Sequence, residues 1–307
     1  MKDQQGLSGF SSSSDLETSI FWNTDTKVGV IGGLGEMGRL FCDFFKGLGY
    51  QVEIADLGAG RTGREVVEES DVVLFAVPLH ETVSIIRELI PYVRPDQLLM
   101  DVTSLKVGPV REMLRSPAAV VGLHPMFGGR IGSLAGQTLV ACPVRISPRE
   151  WSLTRELFTH KGIRIKECTP EEHDRMMSII QVLFHMTTML VGRVLRELSV
   201  DIDETMEFTS PSYRLEIDLL GRMFAQNGAL YSAISQMNPY TKDIITSLMQ
   251  GLACYEKWYE TEDLNAFIQD FQRSAQHLGE FCNNAYAESS AILDFGVRLA
   301  HLNSSGA

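Results

Sequence analysis

The sequence predicts an α/β fold, a doubly wound parallel sheet, followed by an all-helical C-terminal domain. Three observations support this prediction. Seven short apolar runs between residues 28 and 168 alternate with segments of helical periodicity, which is typical of parallel strands joined by crossover helices. The first run leads through a glycine-rich turn into a helical segment, as in dinucleotide-binding sheets. After Thr169 the strand-like runs stop.

The apolar runs are rich in Val, Ile and Leu and carry few charges, so both faces of each strand are expected to be buried. The predicted strands are VGVIG (28–32), QVEIAD (51–56), DVVLFAVP (71–78), LLMDVTS (98–104), VVGLHP (120–125), TLVACP (138–143) and GIRIKEC (162–168). Intervening stretches such as ETVSIIRELIPYV have the periodicity of crossover helices.

The predicted domain boundaries follow from changes in composition and hydrophobic pattern along the chain. Residues 1–26 are polar and Ser-rich and are predicted to be a flexible leader, without the apolar core of a signal peptide. Residues 27–168 form the predicted Rossmann-type domain. Thr169-Pro170-Glu171-Glu172 has the cap, proline and acids of a helix start, so residues 169–307 are the predicted helical domain. Its apolar helices exceed the needs of a small core, which predicts a homodimer through this domain.

Composition excludes several classes of protein. The 307 residues are 44% hydrophobic and 21% charged, with a formal net charge of −12, so nucleic acid is not an expected partner. The five cysteines are scattered, without a C-x-x-C pair, which favours reduced thiols in the cytoplasm and no metal site. The apolar segment SIIQVLFHMTTMLVGRVL contains Gln181, His185 and Arg193, so a buried helix and not a membrane span is predicted.

The glycine-rich stretch VGVIGGLGEMG (28–38) has the spacing G-x-G-x-x-G at Gly33, Gly35 and Gly38. After a strand and before a helix, such glycines give a tight turn, close approach to a pyrophosphate and close packing of helix on strand. A structural glycine turn is the alternative. The predicted cofactor-binding residues are Gly33, Leu34, Gly35, Glu36, Met37, Gly38, Asp56, Val77 and Pro78, and the predicted cofactor is NAD.

Asp56 ends the second predicted strand, near the position where an acid holds the ribose 2′-hydroxyl. A carboxylate there favours NAD, because it would repel the 2′-phosphate of NADP. Arg61 and Arg64 follow closely and could neutralise that effect. The alternative for Asp56 is an ordinary solvated loop acid.

Ligands of a doubly wound sheet bind beyond the carboxyl ends of its strands. Ser104 and Lys106 follow one predicted strand there, and His124 ends another. Histidine is the usual side chain for proton transfer near neutral pH, so His124 is the candidate base. The alternative is a loop histidine bonded to backbone.

The helical domain offers further candidates. In TSPSYRLE, Ser210 is a predicted cap and Arg214 lies in the first helical turn, where the free amides would help it to hold an anion; a surface arginine is the alternative. His185 lies among apolar neighbours and fits a packed core histidine. His173, between Glu172 and Asp174, fits local hydrogen bonds at a helix start.

Several motifs together resemble the prephenate dehydrogenase family. They are GLHPMFG (122–128), DVTSLK (101–106), EEHD (171–174), QVLFHM (181–186) and SPSYRLE (210–216), in that order. The resemblance runs from about residue 27 to near residue 300. It is closest to the dehydrogenase part of bifunctional chorismate mutase–prephenate dehydrogenases.

The resemblance implies NAD-dependent oxidative decarboxylation of prephenate to 4-hydroxyphenylpyruvate, in tyrosine biosynthesis. Residue by residue, it implies that His124 accepts the proton of the ring hydroxyl and that Ser104 orients that hydroxyl. It also implies that Arg214 grips a substrate carboxylate, that His185 lines the substrate pocket, and that Lys106 supports the same region.

One departure from the family pattern is Gly129-Arg130, where the family usually has an acid; Arg130 would suit a second substrate carboxylate. Three alternatives stay open. The same chemistry could act on arogenate or on 4-amino-4-deoxyprephenate. A β-hydroxyacid dehydrogenase would need a lysine that residues 171–192 lack. A non-catalytic NAD-binding sensor would not need His124, Ser104 and Arg214 together.

Overall fold

In a computed structural model, which describes residues 19–305, the first half of the chain forms a seven-stranded sheet with helices on both faces. The strands are β1 Lys27–Ile31, β2 Gln51–Ala55, β3 Val72–Phe75, β4 Leu98–Asp101, β5 Ala119–Pro125, β6 Thr138–Arg145 and β7 Arg164–Glu167. The helices are α1 Glu36–Gly47, α2 Gly63–Glu69, α3 Leu79–Leu89, α4 Val107–Met113 and α5 Pro148–Thr159. All seven predicted strands are confirmed.

The strand order is β2-β1-β3-β4-β5-β6-β7. The first five strands pair in parallel, and the order reverses between β1 and β3, where such sheets bind ligands. The predicted all-parallel arrangement is wrong for one pair, because β6 runs antiparallel to β5. A loop and not a helix joins β5 to β6, so the chain turns back beside its own strand.

The core lies in two apolar layers, one on each face of the sheet. On one face α1 and α5 contribute Phe41, Phe45 and Phe158, which pack on alternate residues of the strands. On the other face α2, α3 and α4 contribute Val66, Ile86 and other apolar side chains. Burial on both faces leaves the carboxyl edge of the sheet as the place for polar chemistry.

The last part of the predicted flexible leader, residues 1–26, is ordered. Residues 1–18 lie outside the described residues, and residues 19–26 pack on the sheet domain. Trp22 is fully buried, stacks on Phe45 with ring centroids 5.9 Å apart, and donates a hydrogen bond to Oγ1 of Thr154 at 2.8 Å. Ser19 donates to the buried carboxylate of Glu150 at 2.7 Å. One aromatic side chain thus anchors a stretch that composition predicted to be flexible.

The rest of the chain is helical, as predicted. The helices are α6 Pro170–Met177, a π-helical turn Ser178–Leu183, α7 Phe184–Glu197, α8 Ile202–Glu207, α9 Pro211–Phe224, α10 Gly228–Met237, α11 Thr241–Glu260, α12 Leu264–Leu278 and α13 Phe281–Ser305. The predicted starts at Thr169 and Ser210 are confirmed. Each residue caps its helix by accepting a backbone hydrogen bond, and a proline follows each cap.

The chain forms two compact units, and the boundary between them lies after the predicted boundary at residue 168. One unit comprises residues up to 181 together with 232–240, and the second comprises 182–231 and 241 onward. Helix α6 belongs with the sheet because His173, Asp174 and Met177 are buried there. A start signal therefore located the helix, but side-chain burial decides the unit to which it belongs.

Of the described residues, one helical stretch, Pro170–Glu197, is long and apolar enough to cross a membrane by length and composition. Only 11% of its most apolar 18-residue stretch is buried within the chain. The predicted buried helix is thus wrong for a single chain: no residue of α7 is buried. Composition did not show that this helix is exposed within one chain.

Candidate active site

The glycine-rich turn lies between β1 and α1, as predicted. Gly32 has a φ of 85°, a left-handed conformation that glycine adopts without strain. The sequence motif assigned the tight turn to Gly33, but the residue in the left-handed conformation is Gly32, one position earlier. Gly35 is the cap residue of α1, and Glu36 begins the helix.

Two other glycines of the turn allow neighbouring atoms to pack closely, because a side chain there would clash with them. A Cβ on Gly33 would lie 2.6 Å from Cγ2 of Ile54, and one on Gly38 would collide with the carbonyl oxygen of Gly32. Helix α1 therefore packs directly against the turn, with its first amides at the carboxyl edge of the sheet. This arrangement fits the pyrophosphate of a dinucleotide.

Asp56 directly follows β2 and faces the glycine turn. Its Oδ2 accepts a hydrogen bond from the amide of Leu34 at 2.8 Å, and its Oδ1 accepts one from the amide of Leu57 at 2.7 Å. Each carboxylate oxygen keeps a lone pair for a ribose hydroxyl. The carboxylate is thus held in place beside the cradle.

The other predicted cofactor residues lie at the neighbouring strand end. Val77 follows β3, and its Cγ1 lies 2.9 Å from the position of a Cβ on Gly32. Pro78 is the cap residue of α3. The structure thus brings Val77 to the turn at the point where the strand order reverses. A contact of either residue with the cofactor stays a prediction.

His124 lies at the carboxyl end of β5 and begins a chain of hydrogen bonds. Its Nδ1 is 2.8 Å from Nε2 of His173, and Nδ1 of His173 is 2.7 Å from Oδ1 of Asp174. Helix α6 supplies both partners. All three side chains are buried, with residue exposures of 3%, 1% and 1%.

This geometry fixes where the protons lie. A carboxylate only accepts hydrogen bonds, so Nδ1 of His173 carries the hydrogen and its Nε2 is the acceptor. Nδ1 of His124 must then donate, which leaves a lone pair on Nε2 of His124. That nitrogen is 3.4 Å from the amide nitrogen of Gln181, a long and weak contact. His124 is therefore ready to accept a proton at Nε2.

Electrostatics keep both imidazoles neutral. Burial, followed by the neighbouring His173 and Lys106, lowers the pKa of His124 well below its usual value. Burial also lowers the pKa of His173, although the hydrogen bond with Asp174 opposes that shift. Neutral rings are the state that the proton assignment requires.

Asp174 has a second task, because it caps a helix from a distance. Its Oδ1 accepts from the amide of Lys106 at 2.7 Å and its Oδ2 from the amide of Val107 at 3.0 Å, at the start of α4. Nδ2 of Asn238 donates to the carbonyl oxygen of Asp174 at 2.8 Å. The carboxylate that orients His173 is thus itself held by α4.

Lys106 forms a buried ion pair. Its side chain is fully buried, and its ammonium pairs with the buried carboxylate of Asp101 and donates to the carbonyl oxygen of Leu123 at 2.6 Å. A Cβ on Gly122 would lie 3.0 Å from Cδ of Lys106, so this glycine makes room for the lysine. Lys106 thus supports the strand end that carries His124, and a contact of Lys106 with substrate stays a prediction.

Ser104 and Arg130 lie in loops of the sheet unit. Ser104 is half-buried between β4 and α4, at the carboxyl edge of the sheet. Nε of Arg130 lies 3.0 Å from Oε2 of Glu36, and the amide of Gly129 donates to Oε1 of Glu36 at 3.1 Å. The structure therefore brings Arg130 to the first residue of α1. Its contact with substrate stays a prediction.

His185 and Arg214 belong to the second compact unit. The ring of His185 makes an edge contact with Tyr231, with centroids 4.7 Å apart, and its Nδ1 is buried without a hydrogen-bond partner. Burial lowers the pKa of His185. Arg214 is exposed in the first turn of α9, with Nε 3.2 Å from Oδ2 of Asp218. Both substrate-binding roles stay predictions.

Sequence reasoning missed three members of the site: His173, Asp174 and Gln181. The motif EEHD was noticed, but its histidine was interpreted as part of local hydrogen bonds at a helix start. Only the packing of α6 on the edge of the sheet joins it to His124. Among the described residues, no group of three or more His, Cys, Asp or Glu side chains could hold a metal ion.

Comparisons with known proteins identify the family of this chain. A family model described as prephenate dehydrogenase, nucleotide-binding domain, matches residues 50–166, and one described as prephenate dehydrogenase, dimerization domain, matches residues 169–273. The T-protein of Haemophilus influenzae is 34% identical over 269 residues, covering 87% of this chain and 71% of the relative.

Two further similarities extend the comparison. A probable arogenate/prephenate dehydrogenase of Methanocaldococcus jannaschii is 31% identical over 301 residues, covering 92% of this chain and 68% of the relative. The crystal structure of prephenate dehydrogenase from A. aeolicus in complex with hydroxyphenyl propionate and NAD+ has the same fold. It has a TM-score of 0.61 and 18% identity, and it covers 83% of this chain and 98% of that chain.

The fold and the glycine cradle define a dinucleotide-dependent oxidoreductase. The chain belongs to the prephenate dehydrogenase family, as the sequence resemblance predicted. NAD is the cofactor that the nucleotide-binding domain and the cradle support. The family includes relatives named for arogenate as well as prephenate.

Proposed function

We propose that this protein catalyses the NAD-dependent oxidative decarboxylation of prephenate to 4-hydroxyphenylpyruvate, in tyrosine biosynthesis. One observation carries the proposal: the chain from Asp174 through His173 leaves a lone pair on Nε2 of the buried, neutral His124. An acceptor at this edge of the sheet suits a substrate hydroxyl that must lose its proton as hydride leaves the same carbon.

NAD supplies the hydride acceptor when it is bound. The hydroxyl of the substrate ring donates to Nε2 of His124, in place of the long contact with Gln181. As hydride leaves C4, this hydroxyl becomes a far stronger acid, so even an imidazole with a lowered pKa can take the proton. His124 then holds that proton at Nε2.

Decarboxylation completes the reaction. The bond between the ring and its carboxylate breaks, carbon dioxide leaves, and the electron pair enters the ring, which becomes aromatic. The phenolate oxygen takes back the proton from His124. Aromatisation drives this step, so the chain needs a base and a positioned substrate and no metal.

Asp174 stabilises the charged state of the site during turnover. When His124 holds the proton, a buried positive charge forms beside His173. The carboxylate of Asp174 lies at the other end of this chain, 2.7 Å from His173, and offsets that charge.

The remaining roles in this proposal come from the family resemblance. Arg214 grips a substrate carboxylate, and His185 lines the substrate pocket. Ser104 orients the hydroxyl. The exposed ion pair between Arg214 and Asp218 has i,i+4 spacing and is worth only about 0.3–0.5 kcal/mol, so a substrate carboxylate can displace Asp218.

Arogenate and 4-amino-4-deoxyprephenate are the alternative substrates of the same site. The experiment that separates them measures kcat/KM of the purified protein for all three compounds with NAD. We expect prephenate to give the highest value. A higher value with either other compound would change the substrate and keep the oxidoreductase chemistry, whereas turnover of none would favour a non-catalytic NAD-binding protein.

The assignment of the base has its own test. His124→Asn keeps a hydrogen-bonding group but cannot hold a proton near neutral pH, so kcat should fall by about 10²–10⁴ while the Kd for NAD stays the same. The matched control is His185→Asn. If that variant loses turnover and His124→Asn keeps it, the base is His185.

We also propose that the protein is a cytoplasmic homodimer, joined through its helical unit. Within one chain, no residue of α7, α11 or α12 is buried, although these helices carry large apolar side chains such as Met249 and Phe271, exposed at 66% and 70%. Exposed apolar faces of this kind mark an interface. A second copy, and not lipid, then covers the apolar helix Pro170–Glu197.

Analytical ultracentrifugation tests the dimer. We expect twice the mass of the chain at micromolar concentration, and we expect Phe271→Asp to shift the equilibrium toward monomer. The control Val144→Asp changes an exposed apolar side chain of the sheet unit, on β6, and should leave the dimer intact. A monomeric unmodified protein would contradict the proposal.

A further inference from the structure

The loop that follows Asp56 contains an arginine whose charge is already engaged. Among residues 56–62, Arg61 alone is cationic. Its Nη1 lies 2.7 Å from Oε2 of Glu53 on β2, and its Nη2 lies 2.7 Å from Oε1 of Glu69 at the end of α2. One guanidinium thus joins a strand and a helix through two carboxylates.

We propose that Glu53 and Glu69 are specificity-determining residues that exclude NADP by withholding Arg61 from its 2′-phosphate. The inference rests on the dinucleotide site and not on the identity of the substrate. NAD and NADP differ by that one phosphate, on the ribose hydroxyl that an acid at the position of Asp56 binds. Discrimination therefore depends on the charges of this loop.

Asp56 supplies the first part of the discrimination. Its carboxylate is fixed by the amides of Leu34 and Leu57, at 2.8 and 2.7 Å, so it cannot turn away from a phosphate. The repulsion between the carboxylate of Asp56 and the 2′-phosphate therefore disfavours the binding of NADP.

Glu53 and Glu69 supply the second part. An arginine within five residues of Asp56 could in principle neutralise it and bind the phosphate through two parallel hydrogen bonds. Here both terminal nitrogens of Arg61 already donate to carboxylates. With Asp56, the loop and its neighbours place three carboxylates against one guanidinium, so the excess charge is negative.

Arg64, the other arginine of this region, is engaged as well. Its Nε pairs with Glu68 at 2.9 Å, in the same helix, and its guanidinium lies 4.6 Å from the centroid of the ring of Tyr92. Arg64 therefore does not replace Arg61. Glu65, whose carboxylate accepts hydrogen bonds from the amide and hydroxyl of Thr62, provides a control.

The test measures the Kd for NAD and for NADP by isothermal titration calorimetry, on the full chain and without substrate. The variants are Asp56→Asn alone and Asp56→Asn combined with Glu53→Gln and Glu69→Gln. Removal of Asp56 alone should leave NADP binding weak. The triple variant should bind NADP about tenfold or more tightly than Asp56→Asn does, because Arg61 is then free to make a charge-assisted contact with the 2′-phosphate.

Two controls make the result decisive. Asp56→Asn with Glu65→Gln and Glu88→Gln removes the same number of charges and leaves both Arg61 and Arg64 engaged, so NADP binding should stay close to that of Asp56→Asn. Adding Arg61→Met to the triple variant should abolish the gain. The proposal is overturned if the charge-matched control gains as much, if the gain survives Arg61→Met, or if the triple variant gains nothing. Failure to bind prephenate would not affect any of these outcomes.

Discussion

Nε2 of His173 lies 2.8 Å from Nδ1 of His124, and both rings are buried at the carboxyl edge of the sheet. The two residues are 49 positions apart in the chain, and one lies on a strand while the other lies on a helix. This hydrogen bond determines which nitrogen of His124 is free for chemistry.

Asp174→Asn should reduce kcat strongly with little change in the Kd for NAD. An asparagine can donate to Nδ1 of His173, which would reverse both hydrogen bonds and place a hydrogen on Nε2 of His124. A wrong tautomer of this kind costs about 10⁴ in kcat in the Ser-His-Asp proteases, and we expect about 10²–10⁴ here. Steady-state kinetics measure kcat and KM separately.

The control for this substitution is Glu172→Gln, the neighbouring acid, whose carboxylate accepts hydrogen bonds from Thr169 at the start of α6. Its kcat should stay within about twofold. If Asp174→Asn also retains kcat, while circular dichroism shows an intact fold, Asp174 serves only as the cap of α4.

The pH profile should show an acid limb below pH 6.5, the usual pKa of histidine. Catalysis needs the neutral ring of His124, and burial, His173 and Lys106 lower its pKa. As pH falls, the ring therefore stays neutral through 6.5 and protonates only at lower pH, where kcat/KM declines. A limb centred at or above 6.5 would contradict this. The residual activity of His124→Asn should lack the limb.

Arg214→Ala should raise the KM for substrate about ten- to a hundredfold, the cost of a lost charge-assisted contact of about 1.5–3 kcal/mol, and should leave the Kd for NAD unchanged. Arg222→Ala, further along α9, is the matched control and should leave KM unchanged. Should KM stay constant in Arg214→Ala, Arg130 becomes the candidate for the carboxylate contact.

Lys106→Met should destabilise the protein by about 3–5 kcal/mol, because it leaves Asp101 buried without its partner. Adding Asp101→Asn should recover much of that loss, since no buried charge then remains unpaired. Urea unfolding of the single and double variants measures the coupling. Lys166→Met, an exposed lysine on β7, should change stability by less than about 0.5 kcal/mol. Equal losses in the single and double variants would show that the ion pair is not the cause.

Much of this protein is determined by its sequence. Apolar runs specified all seven strands, since burial on both faces of a sheet demands continuous Val, Ile and Leu. The spacing of Gly33, Gly35 and Gly38 located the dinucleotide turn, because backbone sterics there allow few other residues. Two helix starts followed from local capping by Thr169 and Ser210. These features depend on neighbours close in the chain.

The tertiary structure decided what depends on distant contacts. The fixed lone pair of His124 requires α6 to pack on the edge of the sheet, so that His173 and Asp174 reach it. Composition alone could not show that Lys106 is buried, because its ion pair with Asp101 and the space beside Gly122 form only in the fold. Likewise, the sequence showed an arginine after Asp56, but only the fold shows that two glutamates hold it. Hydrogen bonds and ion pairs between distant residues are specified by packing, and local periodicity carries no record of them.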